Sequence, residues 1–105
     1  MFDKGEIVSV CTLTGEFVGM FLDESAVDYT VEDPRLLMPA QQQGQYAFLP
    51  AVCMSGEKDP KVVRFNKSAV PFVVKTANEV GKEYRQVAIE FSFQSNTLKS
   101  VFQYS

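Results

Sequence analysis

The sequence predicts a mainly β protein, a small and strongly bent antiparallel barrel with a C-terminal helix, and three observations carry that expectation. In Gly5–Phe21, GEIVSVCTLTGEFVGMF, Val8, Val10 and Thr12 alternate with Ile7, Ser9 and Cys11 at period two, and a turn at Thr14 and Gly15 then reverses the chain into a second β-rich run. Gly19 interrupts that second run, where a missing side chain costs stability unless the strand must bend sharply or let another backbone approach. From Thr76 onward the apolar period changes from two to that of a helix.

Glu6–Leu13, Glu16–Asp23 and Val27–Asp33 read as three antiparallel strands joined by tight turns, the last closed by Pro34. Arg35–Pro39 carries the apolar run Leu36, Leu37 and Met38, and AQQQGQ (Ala40–Gln45) reads as a polar loop tip. Tyr46–Met54 resumes a strand interrupted by Pro50, and SGEKDP (Ser55–Pro60) is a turn cluster. Lys61–Asn66 and Ala69–Lys75 follow as strands, so Pro71 must fall where no ladder hydrogen bond is needed. Thr76 with Glu79 forms a capping-box pattern, and Val80, Tyr84, Val87, Ala88 and Phe91 recur at helical spacing. A helix over Ala77–Ala88 is expected, its stripe packed on the barrel or on a neighbouring subunit, because a short helix is not stable alone. Beyond it, Ile89, Phe91 and Phe93 alternate at period two, which competes with continuing the helix and leaves residues 89–105 open.

A chain of 105 residues is the size of one domain and buries about two-thirds of its unfolded surface. The expected division is a barrel over about residues 5–75 and a helix and tail over 76–105. Its 46% hydrophobic and 22% charged residues are those of an ordinary globular protein, with no membrane segment or signal peptide expected. Cys11 and Cys53 read as buried free thiols in a reducing, intracellular setting. Histidine is absent, which removes the commonest general base and metal ligand together. The carboxylate pairs Asp23 and Glu24, and Glu32 and Asp33, fall at predicted strand ends and read as solvated turn charges; no GxSxG, Walker or HExxH pattern occurs. The expectation is a protein that is not an enzyme and holds no metal or cofactor.

The opening VSVCTLTGEFVGMF resembles the first signature of Sm-like (LSm) proteins, an alternating strand leading to a turn glycine and then a glycine inside the next strand; the Gly15-to-Gly19 spacing is one residue shorter than usual. The ordered set EDPRLL, a Gln/Gly-rich insertion, VRFNKSAV and NEVGKEYRQ is similar to small Sm-like proteins of phages, many of them marine cyanophages. The resemblance covers roughly Gly5 to Gln86. It implies an SH3-like, strongly bent five-stranded barrel that assembles into a cyclic homo-oligomer, the fourth strand of one subunit pairing with the fifth of the next. It further implies RNA binding at a central pore through two loops, which by position are Glu24–Asp28 and Asn66–Ser68, in the cytoplasm of a bacterial host cell. The residues depart from the family pattern: ESAVD replaces the Asp and Met-Asn triplet of the first loop, and Phe65 and Asn66 follow Arg64 in place of Arg-Gly.

Charge is unevenly spread. Residues up to Asp33 carry about −7 and the remainder about +4, and no acid occurs between Lys61 and Asn78 while Lys61, Arg64, Lys67 and Lys75 do. Such a patch suits phosphates, although a net charge of −3 repels a polyanion at long range and a ring would have to multiply the patch. The predicted nucleic-acid residues are Arg64, Phe65, Asn66, Lys67 and Ser68 with Ser25 and Asp28. Lys67 would supply charge, Asn66 and Ser68 directional hydrogen bonds, and Phe65 a stacking face, against the alternative that Phe65 is core or interface. Phe17, Phe21, Phe48 and Phe72 are expected in the core. The next candidates for a nucleic-acid surface are Lys4 and the helix residues Lys82 and Arg85.

The functional expectation is a ring-forming protein of roughly five to seven subunits that binds RNA or single-stranded DNA, with a role in phage RNA or DNA processing. The alternative is a phage structural or adaptor ring that binds protein partners without nucleic acid. A lone oligonucleotide-binding barrel fits less well, because the elements follow a meander instead of a Greek key.

Overall fold

The computed structural model describes residues 2–40, 44–50, 53, 55–57 and 59–88. Six strands, β1 (Ile7–Cys11), β2 (Glu16–Glu24), β3 (Asp28–Pro39), β4 (Tyr46–Leu49), β5 (Val62–Asn66) and β6 (Phe72–Lys75), form one antiparallel sheet in the order β4-β3-β2-β1-β6, with β5 also paired to β3. A 3-10 turn over Lys67–Ala69 separates β5 from β6, and residues 78–88 form helix α1. No helix among the described residues is long and apolar enough to cross a membrane.

The β1–β2 hairpin follows from its residues. Thr12 organises the turn: its hydroxyl donates to the Gly15 carbonyl at 2.7 Å and accepts from the amides of Gly15 and Thr14. The register, Ile7 opposite Met20 through Cys11 opposite Glu16, sends alternate side chains to opposite faces. Val8 and Val10 enter the barrel-like interior with Phe17, Phe21, Val31 and Val70, and Phe65 and Val73 pack against them. Ile7 and Val18 go the other way, under the helix, with Phe48 and Tyr84. Both faces of β1 are thus covered, and each fully buried valine contributes about 1.5–3 kcal/mol of transfer free energy.

Gly19 marks the bend. A Cβ there would collide with Val31 Cγ1, and would lie 3.0 Å from the Glu32 carbonyl oxygen and 3.2 Å from Pro34 Cα. Opposite it β3 carries one extra residue, since Val18 pairs with Arg35 and Met20 with Glu32. This bulge corrects the expectation that Pro34 closes the third strand. Asp33 takes a left-handed φ of 49° and its amide donates to the Lys61 carbonyl, so Pro34 sits where the ladder is already interrupted and its missing N–H costs nothing. β3 then changes partner, pairing through Asp28–Glu32 with β5 and through Leu36–Pro39 with β4. The sheet has six strands where the sequence predicts a five-stranded barrel, and β4, the start of the predicted Tyr46–Met54 strand, stops at Leu49 before Pro50. Ala51, Val52 and Met54 of the predicted Tyr46–Met54 strand, and Gln41–Gln43 of the loop tip, lie outside the described residues, as does the alternation beyond Ala88.

Helix α1 lies where the apolar spacing places it. Tyr84 is fully buried among Ile7, Val18 and Phe48, with Val80, Val87 and Ala88 packed on the same cluster. The capping box does not form. Thr76 extends the β6 edge, its amide donating to the Ile7 carbonyl and its hydroxyl sharing a buried 2.8 Å hydrogen bond with Ser9, while the first helical bond runs from the Gly81 amide to the Ala77 carbonyl. Pro71 precedes β6 and owes the ladder no bond, so the strand is shorter than the predicted Ala69–Lys75. Phe72 is 54% exposed, because its register opposite Cys11 points it away from the interior; it is not core. Neither thiol is buried: Cys53 is exposed, and Cys11 is half-buried, its pKa pushed up by partial burial and then by the nearby Glu16 carboxylate.

Candidate nucleic-acid interface

Two turns meet at one rim of the sheet. In the first, Ser25 Oγ accepts from the amides of Val27 and Asp28 at 3.2 and 3.0 Å, and the Ser25 amide donates to the Asp28 carbonyl. In the second, Asn66 Oδ1 accepts from the Ser68 amide at 2.9 Å and from the Ser68 hydroxyl at 2.6 Å, capping the 3-10 turn. Antiparallel pairing of β3 with β5 places Asp28 opposite Asn66, and the Lys67 amide donates to the Val27 carbonyl at 2.8 Å. The loops predicted from distant parts of the chain, 24–28 and 66–68, are therefore one continuous surface.

On that surface Ser25, Arg64, Asn66 and Ser68 are exposed and Asp28 is half-buried. Asn66 spends its oxygen on the turn, which leaves its amide nitrogen as an outward donor. Lys67 is not a free cation. Its Nζ lies 2.6 Å from Glu24 Oε2 and 4.9 Å from the centre of the Tyr29 ring, and its side chain is only 29% exposed. Phe65 offers no stacking face: its ring packs 5.3 Å from that of Phe17 as part of the interior cluster, following the alternation that turns Val63 and Phe65 inward and Arg64 and Asn66 outward. Arg64 is thus the exposed cation of the rim.

Reading the sequence missed Glu24 and Tyr29 as partners of Lys67. Glu24 is 43 residues away, and only the β3–β5 register brings it near. A second polar group, also unread, joins the β3 bulge to the helix. Arg35, 1% exposed, holds Asp59 Oδ1 at 3.2 Å from its Nη2, and Tyr84 Oη donates to the Asp33 carbonyl. Burial raises the Asp33 pKa above its ordinary value, with the Arg35 guanidinium opposing. Burial, aided by Asp33, holds the Tyr84 hydroxyl protonated far beyond the usual tyrosine range. No family model and no curated protein matches the chain.

Proposed function

We propose that this chain is a non-enzymatic, ring-forming Sm-like protein of phage type that binds RNA or single-stranded DNA in the cytoplasm of a bacterial host. The observation that carries the reading is the joining of the 24–28 and 66–68 turns into one rim, which presents Ser25, Arg64, Asn66 and Ser68 together. Assembly is supported by the strand edges. Among the described residues β5 pairs only with β3 and β6 only with β1, and Val62, Phe72 and Val74 stand exposed along them. Unpaired edges with apolar side chains invite strand addition, and a closed ring satisfies every edge at once. In such a ring Arg64 supplies charge to phosphates while Asn66 and Ser68 make directional contacts.

A second reading, an adaptor ring that binds a protein partner, is favoured by two features of the rim: the Lys67 charge is matched by Glu24, and the Phe65 ring belongs to the core. Light scattering of the full chain combined with filter binding to short RNA and DNA strands at low salt separates the readings. A ring that binds, and loses binding on Arg64→Glu, supports the first; a ring that binds neither nucleic acid supports the second. A monodisperse monomer at micromolar concentration contradicts both.

A further inference from the structure

Helix α1 carries two stripes. Beside the buried one formed by Val80, Tyr84 and Val87, the residues Asn78, Gly81, Lys82 and Arg85 recur at i, i+3, i+4 and i+7 and face a cleft of about 390 Å³. Glu6, Ile7, Lys75 and Thr76 form its other wall. Lys75, Lys82 and Arg85 thus converge on one space against a single carboxylate, Glu6. The Lys75–Glu6 separation is 3.6 Å and the lysine side chain is 68% exposed, so that pair is weak. Lys82 and Arg85 make no ion pair among the described residues. Glu83 lies on the opposite flank of the helix, where it lines a separate cleft with Gln45 and Tyr46. Lys82 and Arg85 thus face the cleft beside β6, while Glu83 faces away from it.

Gly81 is the second observation. Glycine inside a helix is less stable than alanine, and it is normally kept there by a close neighbour. Here the residue is buried, yet a Cβ built on it would meet no atom within 4 Å. No packing contact compels the glycine, and the space in front of it is open to the cleft, so a small side chain would fit there and a large one would fill it.

We propose that this cleft is a phosphate site, distinct in every residue from the rim, taking either the backbone of a single-stranded nucleic acid or a small phosphate ester. Its volume falls in the range of small-ligand pockets, about 300–1,000 Å³. Arg85 supplies a planar fork of donors, Lys75 and Lys82 mobile ammonium groups, and Asn78 a neutral directional donor, while the absent Gly81 side chain leaves room for the anion.

The test uses the full chain at low salt, following backbone amide resonances during titration with inorganic phosphate, adenosine monophosphate and a short oligothymidylate. Saturable shifts confined to residues 75–85 and the facing Glu6–Ile7 segment are expected. Lys82→Glu with Arg85→Glu should weaken binding about tenfold or more. Glu6→Gln should tighten it, an opposite sign that a purely structural role would not produce. Gly81→Leu should block the cleft, and Gly81→Ala, which favours the helix, serves as the folded control. Much tighter binding of the oligonucleotide than of the mononucleotide identifies the backbone as the source; equal binding identifies the small ester. Absence of saturable shifts with all three probes overturns the proposal. So does binding lost with the charge reversals but kept in folded Gly81→Leu protein, which marks a diffuse charged surface and no cleft.

Discussion

The hydroxyl of Tyr84 donates a 2.6 Å hydrogen bond to the backbone carbonyl of Asp33, joining helix α1 to the β3 bulge across 51 residues of chain. The bond explains how an irregular strand tolerates burial. At the bulge Asp33 leaves the ladder, so its carbonyl needs a partner from elsewhere, and a fully buried tyrosine provides it while filling the space between Val18 and Phe48.

Tyr84→Phe should lower stability by about 1 kcal/mol at neutral pH, because it leaves that carbonyl unpaired while keeping the ring. The hydroxyl's folded-state pKa is raised by burial, so its stabilisation is complete below the ordinary tyrosine value of about 10 and is lost as pH rises through the folded value. Urea unfolding at pH 7 and above pH 10 should show the gap between wild type and Tyr84→Phe shrinking at the higher pH. A gap independent of pH would show that the hydroxyl contributes no such linkage.

Asp33→Asn should raise stability at pH 7 relative to pH 3. Burial raises the Asp33 pKa, so its favourable contribution is full below the unfolded value of about 3.9 and declines as pH rises through the folded one. Asparagine removes the charge yet keeps the left-handed backbone, which it tolerates well. Thermal melts of both proteins across that range check the sign, and a variant less stable than wild type at pH 7 contradicts it.

Gly19→Ala should cost about 1–3 kcal/mol by overpacking the bend. In a Val31→Ala background the same change should cost less, though not nothing, since the Glu32 carbonyl oxygen and Pro34 Cα remain close to the new methyl. A double-mutant cycle by denaturant unfolding measures the coupling; additive costs would mean that Val31 is not the obstacle.

Lys67→Ala should cost about 1 kcal/mol or less, and Lys67→Glu more, because it sets like charges against Glu24. The exchange Glu24→Lys with Lys67→Glu should recover most of the loss. If the rim binds nucleic acid, the exchange keeps its net charge and affinity stays near that of wild type, whereas Lys67→Glu alone lowers it. Parallel unfolding and filter-binding measurements separate the two effects.

Phe72→Lys should leave the subunit as stable as before, given its 54% exposure, and yet dissociate the oligomer that the proposed edge pairing of β6 builds. Sedimentation together with unfolding at matched concentrations reads both quantities. An intact oligomer in the variant would remove β6 from the interface.

The parts of the fold legible in the sequence are those set by near neighbours. Thr12 and Gly15 define a turn within four residues, Gly19 announces a bend, and the spacing of Val80, Tyr84 and Val87 specifies which side of the helix is buried. At the rim, the two loops are located by position through the family resemblance, and the structure supplies their local cause: Ser25 and Asn66 each bond their own backbone two or three residues on.

By itself the sequence determined the hairpin, the bend and the helix, because period and turn chemistry act over a few residues and need no distant partner. Only the tertiary structure decided what those elements meet. Alternation marks Phe17 and Phe72 equally as strand aromatics, but the β1–β2 register sets Phe17 opposite buried Val10 while the β1–β6 register sets Phe72 opposite Cys11, which buries one and exposes the other. Thr76 carries a helix-capping pattern, yet Ser9, 67 residues away, takes its hydroxyl. Pro34 looks like a strand end until the bulge opposite Gly19 removes the need for its N–H. Lys67 reads as a free cation until β3 and β5 pair and bring Glu24 to it. In each case a polar or aromatic group has several acceptable local states, and its choice among them depends on partners that only folding brings within reach.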